Sequence, residues 1–214
     1  MRKIVRNLFS FKEAKLPARK GSQKSKAQSL VEFAITLPII LILLTGVVEF
    51  GFALNYYLSL LDATREAARF GSGLDPFTAG YNSATNNQFY SVISSLVASN
   101  LDPRLRPGFT TYEGRRIQLD PASDDVIITV YGVQSGIATQ FPPSGPFRLY
   151  GNQTSMFNTT NIQSQFQSGS PNAGVLVVEV HYTYHHVLRL PWLSPLNPMT
   201  LRAYTIMPLG AAEP

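Results

Sequence analysis

The sequence predicts an α+β protein: a long N-terminal transmembrane helix followed by an exported domain in which an antiparallel sheet packs on a helix. Three observations carry this. Sixteen residues between Glu32 and Glu49, FAITLPIILILLTGVV, hold no charge. Residues 86–100 repeat apolar side chains at helical spacing, and Gly174 to Val187 alternates apolar with polar residues as a half-buried strand does.

With 214 residues, 44% of them hydrophobic, the chain is long enough to bury a core. It has no cysteine, which excludes a disulfide framework, thiol catalysis and thiolate metal sites. The net charge of +5 is unevenly placed. Residues 1–26 carry nine Lys or Arg and one acid, leaving nine bases against twelve acids in the remainder. The basicity belongs to an N-terminal leader, residues 1–27, so no nucleic-acid-binding face is expected.

The apolar run from Phe33 to Val48 rises about 24 Å as a helix, short of a hydrocarbon core of about 30 Å. Continuing to Leu54 makes up the length and draws Glu49 into the membrane. A central carboxylate costs about 2.5–3.5 kcal/mol on the insertion scale, whereas fourteen Ile, Leu, Val or Phe between 33 and 54 contribute about −6 kcal/mol together. Insertion wins. The basic leader holds the N terminus in the cytoplasm, so the C-terminal part faces outside, with Tyr56 and Tyr57 at the level of an outer aromatic belt. A cleaved secretory signal fits poorly, because the apolar stretch exceeds the usual 7–15 residues and no small-x-small site follows it. Pro38 removes one helical hydrogen bond and marks the expected kink. Beyond the membrane the helix continues through Asp62–Arg65 and Glu66–Arg69, spaced i, i+3, until Gly71 and Gly73 supply a stop. The helical segment therefore spans 28–70, and an exported domain occupies 71–214.

Within that domain, Phe89, Val92, Ile93, Leu96 and Val97 form one apolar helix face before Asp102-Pro103 ends the segment. Arg116 to Leu119 is a weak strand candidate, and Asp125 to Tyr131 is a β-branched run bounded by Asp and Gly. In the segment from Gly174, Leu176, Val178, Val180, Tyr182 and Tyr184 share one face while Glu179, His181, Thr183 and His185 share the other. This pattern predicts one buried and one wet face. Thr200 to Met207 supplies a last strand, joined through the proline-containing stretch 189–198. Residues 132–173, rich in Pro, Gly, Asn and Ser, show no period and read as a surface excursion or an insertion that contacts partners.

Metal and catalytic signals are weak. His181 and His185 would lie about 13 Å apart on one strand face, too far for a single ion, and His186 points the other way. Asp120, Asp124 and Asp125 lack the ligand spacing of a calcium loop and read as turn chemistry. Asn152-Gln153-Thr154 and Asn158-Thr159-Thr160 match the glycosylation sequon, as Asn/Thr-rich stretches do by chance. No nucleophile elbow, phosphate loop or dinucleotide fingerprint occurs, and neither an enzyme activity nor a cofactor is expected.

Three pieces of the helix carry a resemblance: Gln28-Ser29-Leu30-Val31-Glu32-Phe33-Ala34 with Leu37-Pro38, then Gly46-Val47-Val48-Glu49-Phe50-Gly51, then Ala63-Thr64-Arg65-Glu66-Ala67-Ala68-Arg69. In this order they resemble the TadE-like family of tight-adherence (Flp-type) pilus assembly proteins. The resemblance implies a minor pilin or pseudopilin in a bacterial cell membrane or its pilus, with other pilin-like subunits, the assembly machinery and a prepilin peptidase as partners. It implies a cut between Ala27 and Gln28, leaving Glu32 as the fifth residue. The family favours glycine before the cut where this chain has Ala27, and both a cleaved and an uncleaved anchor stand at this point. Once a leader is removed, the new amine of Gln28 and a neighbour's Glu32 would leave water as a pair rather than as bare charges. Glu49 is the second assembly carboxylate, set either to meet a partner subunit or to reach outward. The alternative is a membrane-tethered extracytoplasmic binding protein or enzyme unconnected with pili.

Overall fold

The computed structural model describes residues 23–77, 88–167 and 171–210. The basic leader up to residue 22 lies outside the described residues, as do the first two positions of the expected 86–100 helix. The chain divides into two compact units, 1–44 and 45–214.

Helix α1 runs Gln23–Ser72, 50 residues, longer than the expected segment at its N-terminal end and passing without interruption through Pro38. Its hydroxyls turn inward on the backbone: Thr36 Oγ1 donates to the Glu32 carbonyl at 2.8 Å, and Ser59 Oγ to that of Asn55 at 3.0 Å. In the first unit every residue from Ala27 to Leu44 is exposed, so the helix keeps its apolar surface on all sides. Such a helix needs an apolar surround. In the second unit the helix is amphipathic. Glu49, Ala53, Leu60, Ala63, Thr64, Ala67 and Ala68 are buried, while Asp62–Arg65 (3.6 Å) and Glu66–Arg69 (3.1 Å) pair on the exposed side. Small residues let the helix lie close to what it covers. A Cβ on Gly71 would meet Ile93 Cδ1 and Leu176 Cδ2, each at 2.6 Å.

Helix α2, Gln88–Leu101, buries Phe89, Tyr90, Ile93, Val97 and Leu101 at the predicted spacing. Its C-terminal end passes to Asp102, whose side chain caps a short 3-10 turn, Pro103–Leu105. The Arg116–Leu119 candidate is irregular chain rather than a strand. Ile117 and Leu119 are buried all the same, and the Ile117 amide donates to the Leu101 carbonyl at 2.8 Å.

Among the described residues five strands form one antiparallel sheet: β1 Asp125–Gln134, β2 Ile137–Phe141, β3 Phe147–Arg148, β4 Ala173–Tyr184 and β5 Met199–Leu209. The order is β2-β1-β4-β5, with β3 also on β1. Ile128 pairs with Val178, and Val178 with Thr205, which fixes the faces of the three long strands in register. β1 and β2 turn through Ser135 (φ 51°) and Gly136 (φ 80°), a two-residue loop with both residues left-handed, as its twist requires. One sheet face, with Val126, Ile128, Val130, Leu176, Val178, Val180 and Ala203, joins Leu60, Ala67, Ile93 and Val97 in the main core.

The other face departs from the sequence expectation. It is not wet: Val175, Val177, Glu179 and His181 are all buried. The covering layer is the excursion at 132–173, which is built rather than structureless. It supplies β2, β3 and the one-turn helix α3, Thr159–Gln163, and it packs Ile162, Phe157 and Phe166 over Tyr131, Val133, Val175 and Val177. Strand alternation marks which residues share a face but says nothing of what a distant segment lays over it.

Candidate membrane-proximal interface

Glu49 is the organising residue at one end of the second unit. It sits on α1 at the close of the apolar run, yet it is 5% exposed. Its Oε1 accepts from the Tyr184 phenol at 2.6 Å and from the Val187 amide at 2.8 Å, and its Oε2 accepts from the Leu188 amide at 3.0 Å. Three donors around a buried carboxylate offset its desolvation, which is the condition for keeping such a group inside. Tyr184 is the last residue of β4, and Val187 and Leu188 open the loop that follows. Glu49 therefore ties the helix to the start of the β4–β5 connection. Burial, followed by the bond to Glu49, pushes the Tyr184 phenol above its ordinary range, so it remains a donor. The carboxylate does not reach outward, as one of the two readings of the sequence had it: both oxygens accept hydrogen bonds within the chain.

Tyr56, expected in a lipid-facing aromatic belt, instead faces this domain. Its ring stacks on Tyr182 at 5.9 Å, meets Tyr184 edge-on at 5.2 Å, and lies under the Arg115 guanidinium at 4.6 Å. Neither the Tyr184 partnership nor the two loop amides was found from sequence. The inward register of Tyr184 was a usable signal for the phenol, but backbone amides leave none.

The remaining site residues lie in the first unit. Ala27, Gln28 and Glu32 are all within α1 and exposed, so the Ala27–Gln28 junction is helical. The Glu32 carboxylate has no hydrogen-bond or ion-pair partner among the described residues. Pro38 lies inside the helix one to two turns further on.

The other sequence candidates resolve into structural roles. His181, expected to be solvated, is 1% exposed, with Nε2 3.6 Å from the Glu179 carboxylate on the covered face. Glu179 accepts from the Met156 amide at 2.8 Å and from Ser155 Oγ, fastening the excursion to β4. Asp125 does the same through the Tyr150 and Gln153 amides, at 2.9 and 3.1 Å. Asp124 accepts from the Thr183 amide at 2.7 Å and from that of Asp120 at 2.8 Å. The aspartates are thus spent on backbone donors. Among the described residues no group of three His, Cys, Asp or Glu is placed to hold a metal ion.

Fold and site together define a class: an α+β domain and, among the described residues, one helix long and apolar enough to cross a membrane. Residues 27–69 match the family model described as TadE-like protein, the same segment that carries the sequence resemblance. No curated protein and no solved structure matches the chain.

Proposed function

We propose that the chain is a minor pilin or pseudopilin-like subunit that takes part in assembling a tight-adherence type IV pilus or secretion system. It works by helix packing, without catalytic turnover. The observation that carries this reading is Glu32, an exposed acid inside the TadE-like match whose carboxylate has no partner among the described residues, on a helix otherwise uncharged from Gln28 to Val48. A lone carboxylate beside lipid is expensive, and packing against a cation on a neighbouring helix relieves the cost. The Gln28 amine released by a prepilin peptidase supplies that cation. The basic leader supports a cytoplasmic N terminus and an extracytoplasmic domain.

Two measurements test the proposal. Mass spectrometry of the protein from its native membrane should find a mature N terminus at Gln28; an intact leader would remove processing and with it the amine partner. Glu32→Ala should insert into the membrane normally but fall out of the pilus or assembly-complex fraction by tenfold or more, corresponding to about 1.4 kcal/mol of lost association. Unchanged co-fractionation of Glu32→Ala would overturn the assembly role and favour the membrane-tethered binding protein.

A further inference from the structure

The connection between β4 and β5, residues 185–198, has a composition unlike the rest of the second unit. It places Val187, Trp192 and Leu196 on the surface, 47%, 46% and 64% exposed, around a 3-10 turn at Pro191–Leu196. Apolar side chains gathered this way on a loop mark a surface meant to be covered.

What covers them follows from length. The uncharged run from Phe33 to Val48 rises about 24 Å and must borrow residues 49–54 to match about 30 Å of hydrocarbon. Glu49, within that borrowed stretch, accepts the Val187 and Leu188 amides. The loop is therefore fastened at the level where the outer leaflet's acyl region meets its head groups, where Trp is the favoured side chain. Beside it, a cleft of about 540 Å³ has a mainly apolar wall that includes Phe50, Ala53, Leu193 and Leu196, with Glu49, His186 and Thr200 as polar members of the same lining.

The polar side of the same loop has the complementary chemistry. A second cleft of about 340 Å³ is lined by His185, His186, Arg189, Ser194 and Asn197. Arg189 is exposed, with no carboxylate or hydrogen-bond partner among the described residues. His186 is 6% exposed, and its Nδ1 has no hydrogen-bond partner among the described residues. Its amide donates to Asn197 Oδ1 at 3.1 Å, which closes the neck of the loop and holds the cleft's two sides together. The oxygens of Glu49, which His186 also faces, are already occupied by three donors. A free guanidinium, an unpartnered buried imidazole nitrogen, a hydroxyl and an amide in one cleft suit a phosphate.

We propose that residues 185–198 form a lipid-binding wedge that holds an anionic phospholipid of the outer leaflet. The phosphate sits at His186 and Arg189, and the chains lie along Trp192, Leu193 and Leu196. The proposal rests on α1 spanning the membrane, as the proposed function does. Trp192 is the only tryptophan in the chain, so its fluorescence reports on this loop alone. The test uses the full chain in phosphatidylcholine vesicles containing a minor fraction of phosphatidylglycerol, with one or other lipid brominated high on its acyl chains.

Trp192 should be quenched, and brominated phosphatidylglycerol should quench it about fivefold more per molecule than brominated phosphatidylcholine, the enrichment one basic residue produces at a membrane surface. Arg189→Ala should abolish the excess while leaving quenching by phosphatidylcholine. A Trp192 that neither lipid quenches, in protein that stays with the vesicles through an alkaline wash, overturns the wedge and leaves the membrane anchor standing. Protein lost in that wash overturns the anchor, and the wedge with it. Quenching with no preference between the lipids overturns the selectivity for an anionic lipid, and with it the proposal. Loss of the excess on adding millimolar inorganic phosphate would show a free-anion site instead.

Discussion

Replacing Glu49 separates the roles of its two oxygens. In Glu49→Gln the amide oxygen, placed at the Oε1 position, still accepts from Tyr184 and Val187, but the NH2 group then faces the Leu188 amide, donor against donor. Leaving one buried donor unsatisfied costs about 1–3 kcal/mol, which converts to about 5- to 150-fold in the opening equilibrium of the loop. Glu49→Ala removes all three bonds. Because the freed amides can reach water once the loop lifts, its cost exceeds that of Glu49→Gln but stays below the sum for three stranded donors at about 1–3 kcal/mol each. Tyr184→Phe deletes one bond and leaves both amides held, a loss of about 1 kcal/mol, or roughly fivefold.

The assay is hydrogen–deuterium exchange of the full chain in lipid nanodiscs, read on peptides covering residues 185–190. Protection should fall in the order wild type, Tyr184→Phe, Glu49→Gln, Glu49→Ala, with peptides from the β1–β4 pairing unchanged. If Glu49→Ala exchanged like wild type in this loop, the carboxylate would not be what holds it. If protection fell equally across the sheet, Glu49 would be a determinant of global stability rather than of this attachment.

Two further outcomes follow from the packing. Gly71→Ala should destabilise the second unit by about 1–2 kcal/mol in thermal unfolding followed by circular dichroism, since the added Cβ meets the buried Ile93 and Leu176 side chains at 2.6 Å and overpacking outweighs the gain in helix propensity; an unchanged midpoint would mean that both neighbours shift freely. The Arg104 side chain, bonded at 2.6 Å, holds the Asp102 carboxyl below its ordinary value of 3.8 despite burial, so the stability it contributes is present above that pH and is lost as the pH falls through the lower, folded-state value. Asp102→Asn, which keeps the cap but loses the charged bond to Arg104, should cost about 1 kcal/mol at neutral pH and make the acid limb of a melting-temperature profile shallower below about pH 4; an identical acid limb would refute the linkage.

The helix, the amphipathic α2 and the long strands were legible because each writes its period into consecutive residues. The run from Phe33 to Val48, the spacing of Phe89, Ile93 and Val97, and the alternation from Leu176 to Tyr184 are all local signals. The second sheet face was misread for the complementary reason. Glu179 and His181 look solvent-facing in a strand, and what buries them arrives from residues 147–166, where no period exists. Glu49 was legible as an anomaly, a charge closing an apolar run, but its partners lie 135 to 139 residues away in sequence and two of them are backbone amides. The Gln28 to Glu32 stretch was read from order and residue type, and the family match covers it.

Glu49, Glu179, Asp124 and Asp125 share a habit with a consequence for how this chain can change over time. Each anchors a distant stretch by accepting main-chain N–H groups, at Val187 and Leu188, at Met156, at Thr183, and at Tyr150 and Gln153. An amide is offered by every residue except proline. The excursion and the loop before β5 can therefore be rewritten at those positions with little effect on how they are moored, while the four acids and the exclusion of proline opposite them cannot be relaxed. The outward chemistry of this domain is free to diversify on an unchanged frame.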